Sequence, residues 1–447
     1  MTPYVATSLQ QVLTDALSPG CGPVDGLLRR YFRDHPSLGR RDRGDIAETV
    51  FDVLRNRRLY ASLAQSGQGR SERRLMLLSW GRRGLLGTGG CAAGPSAAGP
   101  RSGTGRFEPL GAAERSWLDR TARIDAASLP PAVAFSLPDW LFERLLQAWG
   151  DDAARAIARS LLQPAPLDLR VNLLKADREQ AIAALRADGI DARPLALAGT
   201  ALRVDGKPAL ERSSAFEAGL VEVQDAGSQV LALLAAPRRG QTVIDFCAGA
   251  GGKTLALAAL MRSTGQIFAC DVSAARLARL RPRLARAGAS NVQPFAIDRE
   301  TDPKLDRLAG RADLVLVDAP CSGTGTLRRN PDLKWRLQEH EIVELRARQL
   351  AILRAAARLV KPGGALVYAT CSLLPDENEA VASDFESVCE SAAAPGGARF
   401  VRGPVSELLA HAGADIGPVH DPRSLVLRPD LHGCDGFFAV RWTRTRT

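Results

Sequence analysis

The feature that most restricts the fold is a change of hydrophobic period at Gln241. From there, short uninterrupted apolar runs alternate with amphipathic stretches of helical length. The runs are Thr242–Phe246, Gln266–Cys270, Val292–Ile297, Leu314–Val317 and Ala365–Ala369. Segments such as Thr254–Met261, Ala274–Arg286 and Glu341–Leu359 fit between them. A strand that is apolar on both faces must be covered on both, and parallel neighbours need a crossover to join them. The pattern predicts an α/β domain with a parallel sheet between helical layers. A last pair of runs, Leu425–Leu427 and Phe437–Trp442, is expected to close one edge as a hairpin.

Upstream the texture differs. Residues 5–78 carry apolar positions such as Val12, Leu28, Ile46, Val50, Val53 and Leu54 at helical spacing. Residues 81–111 hold ten glycines and little that can fill a core, so they predict a loop or disordered insert. Helical patterning resumes from Leu118 to Gln163, broken by Pro130, Pro131 and Pro138. Leu167–Val171, a helix around Arg178–Asp188 and short strands near Leu202 and Leu220 predict a small α+β module. The expected division is therefore a helical domain over 1–140 with its insert, the module over 141–235 and the sheet domain over 236–447.

The net charge is +10. Residues 1–120 hold 18 Arg and no Lys against 11 Asp and Glu, an excess of 7. Arg40, Arg41, Arg43, Arg55, Arg57, Arg58, Arg70, Arg73 and Arg74 account for much of it. Guanidinium groups pair with phosphates bidentately, so such a surface suits a nucleic-acid backbone, while a merely solvated face explains the charge as well. The start, Met1 to Leu17, lacks the basic and apolar pattern of a secretory signal, and no apolar run is long enough to span a bilayer. A cytoplasmic protein is expected. The eight cysteines, Cys21, Cys91, Cys247, Cys270, Cys321, Cys371, Cys389 and Cys434, include no Cys-x-x-Cys pair, which argues against zinc and against a disulfide framework.

The first strand runs into Cys247-Ala248-Gly249-Ala250-Gly251-Gly252-Lys253 just before a helix. Glycines there let the backbone approach a ligand, and the helix start offers free N–H groups. The spacing fits neither a dinucleotide fingerprint nor a Walker loop, so the loop points to some other nucleoside-containing cofactor. Asp271, Asp298 and Asp318 end the next three strands. Ligands of open α/β sheets bind outside the carboxyl ends of the strands, which brings these acids to one crevice. An acidic rim suits a cationic sulfonium better than a pyrophosphate; each Asp alone also makes an ordinary helix cap.

Two thiols join that rim. Cys321 follows Asp318-Ala319-Pro320, and Cys371 lies between Thr370 and Ser372, both just past strand ends. A thiolate that adds to carbon 6 of cytosine makes carbon 5 nucleophilic towards a methyl sulfonium. A base must then take the carbon-5 proton before the thiolate can leave. A lone cysteine is usually an inert buried side chain, but two at the strand ends of one crevice suit this cycle. The residues alone leave open which thiol attacks.

These motifs resemble the Sun family of RNA (cytosine-5)-methyltransferases, and within it the bacterial 16S ribosomal RNA members with a NusB-like N-terminal domain. The resemblance covers roughly residues 160–447. Besides the glycine loop and the two cysteine segments, it rests on Leu169-Arg170-Val171-Asn172, Gln224 to Gln229, Arg329-Asn330-Pro331-Asp332-Leu333-Lys334-Trp335-Arg336 and Asp435-Gly436-Phe437-Phe438. It implies a Rossmann-like methyltransferase domain. It also implies Cys371 as nucleophile and Cys321 as the thiol that assists release of the covalent RNA adduct. S-adenosylmethionine would be held by Cys247, Ala248, Gly249, Ala250, Gly251, Gly252 and Lys253 with Asp271, Asp298 and Asp318. Asp318 and Lys253 would also lie beside the target base. The family loop commonly reads Cys-Ala-Ala-Pro-Gly-Gly-Lys, so Gly249 and Ala250 are expected to loosen the turn. Residues 24–60, with Tyr31-Phe32-Arg33 and Arg55 to Arg58, resemble the start of the NusB-like RNA-binding domain, which the glycine-rich stretch interrupts.

Transfer RNA is the alternative substrate, since the same motifs would serve it. A non-catalytic RNA-binding or ribosome-assembly protein is another, although both thiols and the glycine loop are retained. A nicotinamide-dependent oxidoreductase is disfavoured by the loop spacing. No membrane or metal partner is expected, and a monomer is the default.

Overall fold

The structure is a computed structural model and describes residues 3–86, 110–390, 399–418 and 421–446. Most of the expected glycine-rich insert, residues 87–109, and Cys91 with it, lies outside the described residues. Two compact units emerge: Met1–Gln163 with Leu327–Gln338, and Pro164–Thr326 with Glu339–Thr447. These do not follow the expected cuts at 140 and 235. Helices Asp139–Trp149 and Asp151–Leu161 stay with the helical unit. The small module shares a core with the large sheet, since Leu197, Ala198 and Ala201 pack in one cluster with Val230, Leu234 and Val243.

The helical unit is built on Pro3–Leu17, Val24–Asp34, Arg40–Arg55, Arg57–Ala64, Ser71–Arg82 and Ala112–Ala122. Leu9, Val12, Leu13, Ile46, Val50, Val53, Met76 and Trp80 fill its core. The segment Leu327–Gln338 completes it in a specific way. A helix leaves its last carbonyls without intrahelical donors. At the end of Arg40–Arg55 those carbonyls are met from far along the chain: Trp335 Nε1 donates to Leu54 O at 2.7 Å and Lys334 Nζ to Arg55 O at 2.7 Å. Arg55 donates in turn to Arg328 O at 3.1 Å, and Val24 N to Asp332 at 3.3 Å. Lys334 is 1% exposed. Burial, with the Arg55 guanidinium adding to it, pushes its amine well below the ordinary lysine value.

The arginine cluster is mostly turned to internal use. Arg58 forms a two-pronged bond to Asp139 at 2.7 and 2.8 Å, and Arg73 pairs with Glu114 at 2.6 Å. Arg43 and Arg74 donate to the carbonyls of Leu38 and Gly67, and Arg57 stacks over Trp335. Arg40, Arg41 and Arg70 are exposed.

In the other unit, β1 (Leu167–Val171), β2 (Ala192–Pro194), β3 (Ala201–Val204) and β4 (Val221–Val223) form an antiparallel sheet in the order β2-β3-β1-β4. The large sheet contains β5 (Thr242–Asp245), β6 (Gln266–Asp271), β7 (Val292–Ala296), β8 (Ala312–Asp318), β9 (Val360–Thr370), β10 (Phe400–Arg402), β11 (Ser424–Leu427) and β12 (Phe437–Arg444). Its order is β10-β12-β9-β8-β5-β6-β7, with β11 paired to β12. Strands β5 to β9 run parallel, and β12 lies antiparallel to β9, so the expected hairpin closes that edge. The short edge strand β10 carries too few apolar residues to announce itself. Apolar clusters cover both faces of the sheet. Strand order reverses between β5 and β8, and a ligand crevice opens at such a switch point. No helix among the described residues is long and apolar enough to cross a membrane.

Candidate active site

The loop after β5 is fastened at every turn. Ala248 N donates to Cys270 O at 2.8 Å and Gly249 N to Asp271 Oδ2 at 2.7 Å. Gly251 takes φ +82°, and a Cβ there would stand 2.2 Å from Leu280 Cδ1, so the position demands glycine. The two positions expected to loosen the turn are both tied down. Gly249 adopts φ +56°, and the Ala250 carbonyl accepts from Arg283 at 2.6 Å. Arg283 is itself held by Glu222 of β4 at 3.1 Å. Nothing in the sequence marks Arg283 for this task, because the tie joins a helix, a loop and a strand far apart in the chain.

The carboxylates are not equivalent. Asp271 is buried and accepts from Gly249 N and Ser273 N at 2.7 Å each, so it braces the loop. Asp318 ends β8 and pairs with Lys253 Nζ at 2.6 Å. Burial works against the Lys253 ammonium, but the charge and hydrogen bond of Asp318 outweigh it and hold its pKa above the ordinary value. Asp298 is different: its side chain is 88% exposed and, among the described residues, reaches only Lys304, at 3.5 Å. Its neighbour Asp302 caps the turn Pro303–Leu308 and accepts from Asp298 N at 2.8 Å.

Asp245, which the sequence marks only as a strand end, is 1% exposed. Its Oδ2 accepts from the Thr254 hydroxyl at 2.6 Å, while Oδ1 has no partner among the described residues. Burial raises its pKa to about 7, against the pull of the Thr254 bond. Gln224 Oε1 is likewise buried without a donor, and its amide lies beside the start of the Gly252–Leu260 helix. Buried acceptors without donors are costly, about 1–3 kcal/mol each, and two beside one glycine loop point to a donor-bearing ligand.

The remaining motifs brace the scaffold. Asn172 donates to Gly219 O and Ala287 O, Asp225 caps the helix Ala226–Ala235, and Gln229 donates to Leu169 O.

The thiols meet. Cys321 follows β8 and Cys371 follows β9, adjacent strands of the sheet, and their sulfurs lie 3.3 Å apart. Both side chains are half-buried. The hydrogen bond with Cys371, reinforced by burial, holds the Cys321 thiol well above its ordinary pKa. Gly325 permits this approach: a Cβ there would fall 2.2 Å from Gly436 O and 2.8 Å from Cys371 O. Cys247 is different, with burial pushing its thiol well up beside three carboxylates. Among the described residues no cluster of His, Cys, Asp and Glu is arranged to hold a metal ion.

The chain is similar to known proteins. The family model described as 16S rRNA methyltransferase RsmB/F matches residues 232–442, and the RsmF/B-like ferredoxin-like domain model matches residues 137–211. The probable ribosomal RNA small subunit methyltransferase B of Synechocystis sp. is 38% identical over 258 residues, which is 58% of each chain. The ribosomal RNA small subunit methyltransferase B of Photorhabdus laumondii is 32% identical over 309 residues, 69% of this chain and 66% of that one. The solved structure of PH0851 matches with a TM-score of 0.74 at 26% identity and 99% coverage of both chains. The chain spans little more than half the length of the first curated relatives it matches. With two models of one family matched along most of its α/β unit, the chain belongs to the RsmB/F family of Sun-type methyltransferases.

Proposed function

We propose that the protein is an S-adenosylmethionine-dependent RNA (cytosine-5)-methyltransferase acting on 16S ribosomal RNA in the cytoplasm. The observation that carries the proposal is the thiol pair, 3.3 Å apart at the ends of two adjacent parallel strands. Beside the glycine loop, Lys253 and Asp318 offer a donor and an acceptor for the target base.

The crevice suits the cofactor. The partnerless oxygens of Asp245 and Gln224 would receive donors from its amino-acid end. Residues Cys247 to Lys253, Asp271 and Asp318 would line its site, with Val272, 66% exposed, as an apolar face for the purine. Asp298 has the least support, since it faces solvent and Lys304. S-adenosylmethionine, when bound, supplies the methyl group.

The protein's own residues then have definite tasks. Cys371, as thiolate, adds to carbon 6 and drives the electron pair to carbon 5, which takes the methyl group. The carbon-5 proton leaves to a base. Its electron pair restores the ring double bond and expels Cys371 as thiolate. Cys321 holds its own proton and stands 3.3 Å from the departing sulfur, where it can donate to it and assist release. The helical unit, NusB-like in its sequence pattern, would carry RNA-binding surface.

Bisulfite sequencing of total RNA from cells with and without the protein tests the proposal. One or more cytosines of 16S ribosomal RNA should lose protection in its absence. A change confined to transfer RNA would move the substrate, and no change in any RNA would overturn the activity.

A further inference from the structure

We infer that Glu377 is a positioning residue that holds both cysteine loops in register, an inference that rests on the methyltransferase proposal above. Glu377 is fully buried, in the turn Pro375–Glu377 that follows the Cys371 loop. Its two oxygens reach the residue after each thiol. Oε1 accepts from Ser322 N at 2.8 Å and from Gln349 Nε2 at 2.9 Å. Oε2 accepts from Ser322 Oγ and from Ser372 Oγ at 2.5 Å each. Ser322 adjoins Cys321 and Ser372 adjoins Cys371, so one carboxylate ties the two loops at the same point along each.

Every neighbouring group reinforces the tie. Gln349 also donates to Pro320 O at 3.0 Å, the carbonyl just before Cys321. Tyr368 donates to the Glu377 backbone carbonyl at 2.5 Å, and Asn378 donates to Ser372 O at 2.9 Å. A buried network with its members satisfied is rigid, and that rigidity is inherited by the sulfurs one residue away. A shift of about 1 Å between reacting groups costs about 100-fold in rate, so a device fixing the two loops acts on turnover more than on binding. Glu377 itself touches neither sulfur in this arrangement; it acts through the two serines.

The substitutions differ in a way that separates position from mere stability. Glu377→Leu fills the space but leaves Ser322 N and Gln349 Nε2 without an acceptor. Glu377→Gln keeps an oxygen for those two fixed donors, while the serine hydroxyls can rotate to accept from its amide. Ser372→Ala removes the single arm to the Cys371 loop. Two measurements read the outcome. One is the split of kcat against KM for S-adenosylmethionine. The other needs no RNA: the rate at which diamide joins Cys321 to Cys371, followed by mass spectrometry of the linked peptide.

Glu377→Leu should lower kcat about 100-fold and slow the cross-link at least about tenfold, with KM for the cofactor within about twofold of wild type. Glu377→Gln should stay within about fivefold of wild type in both readouts. If Glu377→Leu does not fold, Ser372→Ala decides, with an expected loss of about tenfold in kcat and a slower cross-link. A cross-link as fast as wild type in the folded variant, or a rise in KM for the cofactor with kcat little changed, overturns the inference. Because the cross-link is formed without RNA, it decides the positioning role even where no methyl transfer is detected.

Discussion

The helical unit and the strand-end crevice each concentrate one kind of residue, arginine in the first, thiols and carboxylates in the second. Their uses diverge. In the helical unit's arginine cluster, Arg43, Arg55, Arg58, Arg73 and Arg74 bend back onto carbonyls and carboxylates of the same unit, while Arg40, Arg41 and Arg70 are exposed. In the crevice, the sheet delivers Cys321 and Cys371 to within 3.3 Å and leaves Asp245 Oδ1 without a partner. A long side chain on a helix finds whatever acceptor lies within its reach. A side chain at a strand end has its place set by the order of the strands.

The largest expected effect lies in the crevice. Cys371→Ala should reduce methyl transfer to background while the cofactor still raises the melting temperature; normal turnover would break the assignment. Cys321→Ala should leave a covalent protein–RNA complex that survives a denaturing gel, and its absence would remove the release role. In the helical unit, Trp335→Ala strips the donor from Leu54 O and half-buried aromatic surface, a loss of about 2–4 kcal/mol in denaturant unfolding of that unit.

A pair of arginine sets puts the comparison itself at risk. Replacing Arg40, Arg41 and Arg70 by Gln should lower the slope of log affinity for single-stranded RNA against log salt by about 2, at unchanged stability. Replacing Arg58, Arg73 and Arg74 should do the reverse. Equal slopes in both sets would mean that the internal pairs open to meet RNA. The smallest effect concerns Asp245, raised when folded from 3.8 to about 7. The folded carboxyl keeps a proton that the unfolded one releases, so its stabilising share is complete below about pH 4 and is lost as pH rises through 7. Asp245→Asn should therefore gain on wild type in ligand-free melting temperature between pH 5 and pH 8. A constant gap would mean the carboxyl is not so shifted.

What was legible in the sequence follows the same division. The parallel strands, the glycine loop, both cysteines and the acids Asp271 and Asp318 could be read because a strand's end is visible in the period of its residues. The residues that escaped act across distance. Glu377 lies six positions after Cys371, but its bonds to Ser322 cross 55 residues. Arg283 reaches back 33 to hold Ala250. The motif from Arg329 to Arg336 was visible as a family mark, yet its work, finishing a helix end 281 residues upstream, had no local sign. Charge says less for the converse reason: it counts guanidinium groups without showing which carbonyls they have already found.

That distant plug bears on how the chain is made. Translation delivers the helices of residues 3–163 first, but Leu54 O and Arg55 O wait for Trp335 and Lys334 until strands β5 to β8 have left the ribosome. Domains that fold as units during synthesis usually finish in order from the N-terminus. Here the first unit to emerge is sealed late, so the nascent helices remain open to chaperones, or to proteolysis, for the length of some 170 further residues. A fragment ending at Gln163 would keep that open state permanently.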